Sequence, residues 1–209
     1  MQTFPLILDV AGCEAVVLAN GTFPSAEIPL RLLSQALYVC ACDGAVLRYP
    51  AADAVVGDGD SVPAEFRSRL ICISEQEDND LTKATRHCMA KGLRRIVYLG
   101  ATGGREDHTI GNVSLIARYL EEFGIEPLLA TDSGWFVPVR GAATFASFPG
   151  QQVSIFNLTC THLSARGLKW EAYPYRQLWQ GTLNEATGDS FDIEADGLYL
   201  IYRTYLGKS

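Results

Sequence analysis

The chain of 209 residues lacks most of the familiar signatures of cofactor and metal binding. None of its six cysteines (Cys13, Cys40, Cys42, Cys72, Cys88, Cys160) stands in a C-x-x-C pair, and its three histidines, His87, His108 and His162, are scattered. A Cys/His zinc site is therefore poorly supported, and buried free thiols in a reducing compartment are the expectation. No Gly-Lys-[Ser/Thr] follows its glycine-rich turn, so there is no Walker A loop, and the G-x-G-x-x-G spacing of a dinucleotide fold is missing. Positive charge is also scarce. Lys and Arg number 17 against 24 Asp and Glu, a formal net charge of −7. Such a surface repels polyphosphate backbones, which argues against nucleic acids and anionic membranes as partners. No stretch approaches the length of a transmembrane helix, and no Lys or Arg precedes Arg31, so neither a membrane span nor a signal peptide is expected. The expected location is cytoplasmic.

What is present divides into two grammars. Up to about residue 133, short apolar runs alternate with helical segments. Ala15–Ala19, Leu37–Cys42, Ala54–Gly57, Leu70–Ser74, Ile96–Gly100 and Pro127–Thr131 read as buried strands. Ile28–Ala36, Asp80–Lys91 and Thr109–Glu122 read as helices, the last with Ile110, Val113, Ile116, Ala117 and Leu120 on one face. Strand–helix alternation predicts a parallel sheet covered by helices. From about Gly134 the helical period fades. Trp135–Val139, Thr144–Ser147, Val153–Leu158, Phe191–Ile193 and Leu198–Tyr202 read as strands punctuated by glycine. The prediction is an α/β half over residues 1–133 and an all-β sandwich or barrel over 134–209.

The aspartates fall where a parallel sheet binds ligands. Asp43 follows one strand, Asp58 and Asp60 the next, Asp80 opens a helix after a third, and Asp107 follows the turn Gly100-Ala101-Thr102-Gly103-Gly104-Arg105. The carboxyl ends of parallel strands open on one edge, so these five groups should converge on a crevice. Mutual repulsion makes such a cluster unstable without cations or protons. Oxygen donors alone suit Mg²⁺, which bridges carboxylates to phosphates and so reconciles an acidic chain with an anionic co-substrate. Gly100, Gly103 and Gly104 let backbone N–H groups approach an anion, the following helix points its positive end there, and Arg105 can contact phosphate in a bidentate fashion.

Each feature alone has a plainer explanation. A single Asp after a strand is usually a cap or turn residue, and Asp78 and Asn79 are good caps. Lys83 is usually a solvated helix residue and Arg105 a surface charge, while Trp170 and Trp179 are more often core or interface aromatics. Five post-strand aspartates with two glycine-rich loops are harder to explain in this way. Together they point to metal-dependent chemistry on a phosphorylated ligand, with the substrate unnamed.

Several strings carry a family resemblance. Cys42-Asp43-Gly44-Ala45 resembles A-D-G-G/A, and Gly57-Asp58-Gly59-Asp60-Ser61 resembles G-D-x-D-S. Glu75 to Ala84 is similar to D-Q-x-x-T-D-x-x-K-A, and Gly100 to His108 with Asn112 is similar to G-x-x-G-G-R-x-D-H…N. Gly167-Leu168-Lys169-Trp170 resembles G-L-K/R-W, and Gly181-Thr182-Leu183-Asn184-Glu185 resembles G-x-S-N-E. In order and over nearly the whole chain, these are similar to the thiamine pyrophosphokinase family. Three positions depart from its pattern: Asn79 replaces the usual Thr, Leu183 the usual Ser, and Arg166 a small polar residue.

The resemblance implies a nucleotide-binding α/β half, a β-sandwich half, and a homodimer with active sites at the subunit interface. It implies the reaction of thiamine with ATP to give thiamine diphosphate and AMP. Asp43, Asp58, Asp60, Asp80 and Asp107 would hold Mg²⁺, and Asp58, Asp60, Asp80, Lys83 and Arg105 would carry catalysis. Asp43, Gly44, Gly57, Thr102, Gly103, Gly104, Arg105, Asp107 and His108 would contact ATP, His108 without chemistry of its own. Gln76, Ser164, Trp170 and Asn184 would contact thiamine, with Trp170 as the stacking platform in a site completed by the partner subunit. Two rivals remain open at this point: a diphosphokinase of the same fold acting on a hydroxymethylpterin, and a non-catalytic nucleotide or thiamine sensor.

Overall fold

The computed structural model describes residues 1–6, 13–60, 62–75 and 77–208. It divides into two compact units, one ending at Asp132 and the other running from Ser133 and also holding strand β1 (Gln2–Phe4).

The first unit alternates strand and helix: β2 (Ala15–Leu18), α1 (Glu27–Gln35), β3 (Tyr38–Cys42), β4 (Ala54–Gly57), β5 (Leu70–Cys72), α2 (Asp80–Ala90), β6 (Arg95–Leu99), α3 (Glu106–Phe123) and β7 (Glu126–Ala130). Its strands lie in the order β7-β6-β2-β3-β4-β5, every neighbouring pair parallel. Continuous burial explains the continuous apolar runs. All four residues of β2 and of β4 are buried, as is expected where a sheet is covered on both faces. Helix α2 turns Leu81, Ala84 and Cys88 inward, and α3 ends at Gly124, whose left-handed φ of 61° caps it.

Two readings of this half change. Helix α3 starts at Glu106, because its polar first turn gives no apolar period to detect, and Ile110 is 64% exposed rather than core-facing. β1 belongs with the second unit, where it pairs in parallel with β9 (Ala143–Ala146).

The second unit is built from two sheets. One has the order β1-β9-β13-β11, with β13 at Ser190–Ala195 and β11 at Leu163–Arg166. The other joins β12 (Asn184–Glu185), β10 (Gln151–Asn157), β14 (Leu198–Gly207) and β8 (Gly134–Arg140), antiparallel throughout. Strands β11 and β12 are additions to the sequence reading. Their runs are short and polar.

Arg203 on β14 reaches from one sheet to the other. It is 1% exposed, lies 4.7 Å from the Trp135 ring centroid and 5.3 Å from that of Phe145, and donates to the carbonyl of Ala146. Burial pushes its pKa down to about 9, so it stays charged at neutral pH, and the two ring faces offset part of its desolvation.

All six cysteines are free. Five are buried as expected, whereas Cys72, on the edge strand β5, is exposed. Among the described residues, no helix is long and apolar enough to cross a membrane.

Candidate active site

The chain runs outward from β2 through β3 and β4 to β5, then returns to β6 on the other side of β2. The switch point of the sheet therefore lies between β2 and β6, the place where open α/β sheets form a ligand crevice. Two loops meet at its carboxyl edge. Gly21 N donates to Gly100 O at 2.7 Å, Thr22 N to Thr102 O at 2.8 Å, and Thr22 Oγ1 to Gly103 O at 3.0 Å. A Cβ on Gly21 would collide with the carbonyl oxygens of Thr102 and Gly100, and one on Gly103, at φ +77°, with the Thr22 hydroxyl. Glycine is required here by close backbone approach as well as by turn geometry. These contacts use the loop's carbonyls, and the N–H groups of Gly103 and Gly104 have no acceptor among the described residues. The start of α3 follows directly, so donors and the positive helix end face the same edge. Gly21 and Thr22 were missed by sequence reasoning, although Asn20-Gly21 at a strand end is a recognisable turn signal.

The neighbouring loops are tied to one another through Asp43. This residue holds a left-handed φ of 43°, and its Oδ1 accepts from Gly59 N at 3.2 Å. A side chain at Gly57 would strike that carboxylate, which explains the glycine before Asp58. Asp58 Oδ1 accepts from Asp60 N at 3.1 Å, which closes the turn between the two aspartates. Gly44 is buried in the 3₁₀ turn Asp43–Leu47. The Cys42 thiol, at the end of β3, lies 3.6 Å from Asp80 O and brings the start of α2 beside the same edge. Ser61 and Gln76 lie outside the described residues.

Helix α2 begins with a side-chain cap. Asn79 Oδ1 accepts from Thr82 N at 3.0 Å while its Nδ2 donates to Asn112 Oδ1 at 3.1 Å, and Asn112 in turn donates to Ala101 O at 2.8 Å. The Asn at the family's Thr position thus keeps the capping role and joins α2 to α3 and the glycine loop. Asp78 is held between Arg86 (2.5 Å) and Arg118 (2.8 Å), a structural role. Lys83 is not the solvated residue that its helix position suggests. Its side chain is 4% exposed, and Nζ lies 3.4 Å from Asp80 Oδ1. A buried ammonium needs a partner to offset its desolvation, and the Asp80 carboxylate supplies one.

Arg105 and Asp107 are exposed and paired with each other at 2.6 Å. The hydrogen bond between them holds Asp107 below the usual carboxylate range and raises Arg105. Asp107 Oδ1 also accepts from His108 N. Among the described residues, no three Asp, Glu, His or Cys side chains stand close enough together to hold an ion by themselves. Mg²⁺ does not require that, since it commonly takes one or two carboxylates and completes its shell with water and phosphate. Asp43, Asp58, Asp60 and Asp80 offer only hard oxygen, the donor type that such an ion takes.

The second unit carries its own constellation. Gly167 to Lys169 runs antiparallel to Glu185–Thr187, through Lys169 N to Glu185 O at 2.8 Å, Thr187 N to Gly167 O at 2.9 Å and a bridge between Leu168 and Ala186. Asn184 is 4% exposed and grips Trp170 by its main chain. Its Oδ1 accepts from Trp170 N at 3.1 Å and from Glu185 N at 2.8 Å, and its Nδ2 donates to Trp170 O at 2.9 Å. The Trp170 ring is half exposed, with the Lys169 ammonium 5.0 Å from its centroid. Leu183 holds φ 63°, is 67% exposed, and donates its N–H to Ser154 Oγ. Ser164 sits on β11 opposite Glu194 and makes no polar contact with Trp170 or Asn184.

Comparison with known proteins now decides the family. The thiamin pyrophosphokinase catalytic-domain profile matches residues 30–126, and the family's substrate-binding-domain profile matches 134–202. The chain belongs to the thiamin pyrophosphokinase family. Among solved structures it resembles yeast thiamin pyrophosphokinase (TM-score 0.79, 14% identity, covering 97% of this chain and 90% of that one). It also resembles thiamin pyrophosphokinase from Candida albicans (0.75, 15%, 97% and 92%). A third likeness is to a probable thiamine pyrophosphokinase from Staphylococcus saprophyticus (0.67, 21%, 91% and 98%). At these identities the structures speak for the fold, and the two profiles carry the family. No curated protein sequence matches the chain. A thiamin pyrophosphokinase transfers a diphosphoryl group from ATP to thiamine, and this chain is an enzyme of that kind. The pterin and sensor alternatives are not favoured. The catalytic match contains Asp43, Asp58, Asp60, Asp80, Lys83, Arg105 and Asp107, and the substrate-binding match contains Ser164, Trp170 and Asn184.

Proposed function

We propose that the carboxyl edge of the parallel sheet holds Mg-ATP and that the Trp170 loop seats thiamine, whose hydroxyl attacks the β-phosphorus and releases AMP. The observation that carries this reading is the coupling of Asp43, the Asp58–Asp60 turn and the Asp80–Lys83 pair at one edge, beside the glycine loops of the switch point. Asp43, Asp58, Asp60 and Asp80 would hold the metal, one or two of them directly and the others through its waters, with Asp107 contributing if Arg105 turns to phosphate. Mg²⁺ would supply charge neutralisation between these carboxylates and the phosphates. Gly103 and Gly104 present N–H donors to phosphate oxygens, with Gly44, Gly57, Thr102 and His108 shaping the nucleotide pocket. Lys83 and Arg105 offset charge on the transferred group, and an aspartate of this edge takes the hydroxyl proton. Positioning and electrostatics account for most of the rate in such transfers.

On the thiamine side the indole of Trp170 offers a face to the cationic thiazolium or the pyrimidine. Asn184 has both acceptor sites and one N–H committed to backbone, so it acts on thiamine by fixing Trp170. Gln76 and Ser164 contact thiamine, Gln76 at the pyrimidine. The second unit is the β-sandwich half, and the enzyme is a cytoplasmic homodimer. Exposed Trp170 (50%), Leu178 (60%), Trp179 (70%) and Leu183 (67%) on neighbouring loops support self-association, and unpaired thiols support a reducing location.

The test is to incubate the protein with Mg-ATP, with and without thiamine, and to quantify AMP and thiamine diphosphate. Equal amounts of both, dependent on thiamine and abolished by EDTA, are expected. Absence of AMP in folded, ATP-binding protein would reject the proposal.

A further inference from the structure

A cationic substrate ring creates a problem at the Trp170 platform. Lys169 already places its ammonium 5.0 Å from the ring centroid. A thiazolium stacked on the free face would lie within about one Debye length of that ammonium, too near for salt to screen the repulsion fully. The fold supplies a countercharge. Both carboxylate oxygens of Glu185 stand 3.3 Å from Lys169 Nζ, and the Glu185 side chain is only 22% exposed, against 50% for Lys169. Backbone pairing of Lys169 N with Glu185 O fixes the two residues opposite each other, and Asn184 fixes Trp170 beside them. The arrangement is a sequence of carboxylate, ammonium and indole, in which Trp170 is half exposed.

We propose that Glu185 is a charge-compensating positioning residue. By neutralising Lys169 it lets Trp170 receive a cationic heteroaromatic ring, and it thereby sets the preference of this site for charged over uncharged rings. Lys169 packs the back of the indole, and Glu185 keeps its charge from reaching the ligand. The inference rests on Trp170 being the thiamine platform.

The experiment compares KM for thiamine with inhibition by an isosteric analogue whose thiazolium is replaced by an uncharged ring. Glu185→Gln should raise KM for thiamine about fivefold to tenfold, the size of one partly screened charge contact, and leave KM for ATP and binding of the neutral analogue unchanged. Lys169→Met added to Glu185→Gln should restore thiamine binding, because the uncompensated charge is then gone. A purely structural role for Glu185 would weaken both ligands equally and would not be rescued, and that result overturns the proposal. No change for either ligand overturns it as well. Trp170→Ala separates the two levels: unchanged KM for thiamine in that variant removes the platform itself, whereas a raised KM with an indifferent Glu185→Gln removes only the charge argument.

Discussion

The sheet edge of the α/β unit and the Trp170 loop of the β unit are built by opposite means. At the edge, backbone meets backbone: Gly21 lies against the carbonyls of Gly100 and Thr102, and Gly100 against that of Ala19, with no room for a Cβ on either glycine. At the loop, one buried side-chain amide, Asn184, holds the main chain of half-exposed Trp170 through two hydrogen bonds and accepts a third from Glu185 N. The first design suits a ligand recognised by N–H groups and charge, since phosphate oxygens are met by main chain and ions. The second suits a flat ring recognised by its face. The two regions should therefore fail differently when altered.

The largest effect is expected from Asp58→Asn. Turnover should fall by about a thousandfold, with folding intact, because the lost carboxylate weakens the hold on Mg-ATP and also removes charge stabilisation from the transition state. A near-normal rate would remove Asp58 from the metal site. Gly21→Ala should act through stability, costing about 2–4 kcal/mol as its methyl is driven into two carbonyl oxygens, read as a lowered urea midpoint. Asn184→Ala should raise KM for thiamine about tenfold and leave KM for ATP in place, since it frees the Trp170 main chain without touching the edge. Equal damage to both KM values would blur the contrast between the two regions.

Smaller effects sharpen the same comparison. Leu183 adopts a conformation that β-carbon sterics disfavour. Leu183→Gly should therefore stabilise the fold by about 0.5 kcal/mol, less than the full strain, because glycine also loosens the unfolded chain. Asp132 ties down the chain just before α1, accepting from Ser25 N, Ser25 Oγ and Ala26 N. Burial opposes its ionisation, but the Ser25 and Ala26 hydrogen bonds prevail and its pKa lies below the ordinary value. Its contribution is then fully present above the unfolded value of about 3.9 and is lost as pH falls through the lower folded value. Acid unfolding of Asp132→Ala should lack that loss, a difference below about 1 kcal/mol for so exposed a group.

Much of the fold was legible because burial leaves a strong sequence trace. The runs around Val16, Cys40, Val55 and Val97 are apolar throughout, and each became a strand of the parallel sheet. β1, β11 and β12 left no such trace, being two to four residues long and partly exposed. Their pairing is decided by strands distant in sequence. At the site, post-strand aspartates and glycines could be read from position alone. The burial of Lys83 could not, because a lysine one residue before Ala84 on a helix gives no hint that its ammonium lies under Asp80. Nor could the Asn184 amide be assigned to Trp170, which is 14 positions away. Local pattern shows which residues are special, and tertiary contact shows what they hold.

Calorimetric titration of Asp58→Asn and Trp170→Ala with Mg-ATP and with thiamine tests the division of labour most directly. The account predicts that Asp58→Asn loses affinity for Mg-ATP and keeps thiamine, while Trp170→Ala does the reverse. Loss of the same ligand in both variants would contradict it.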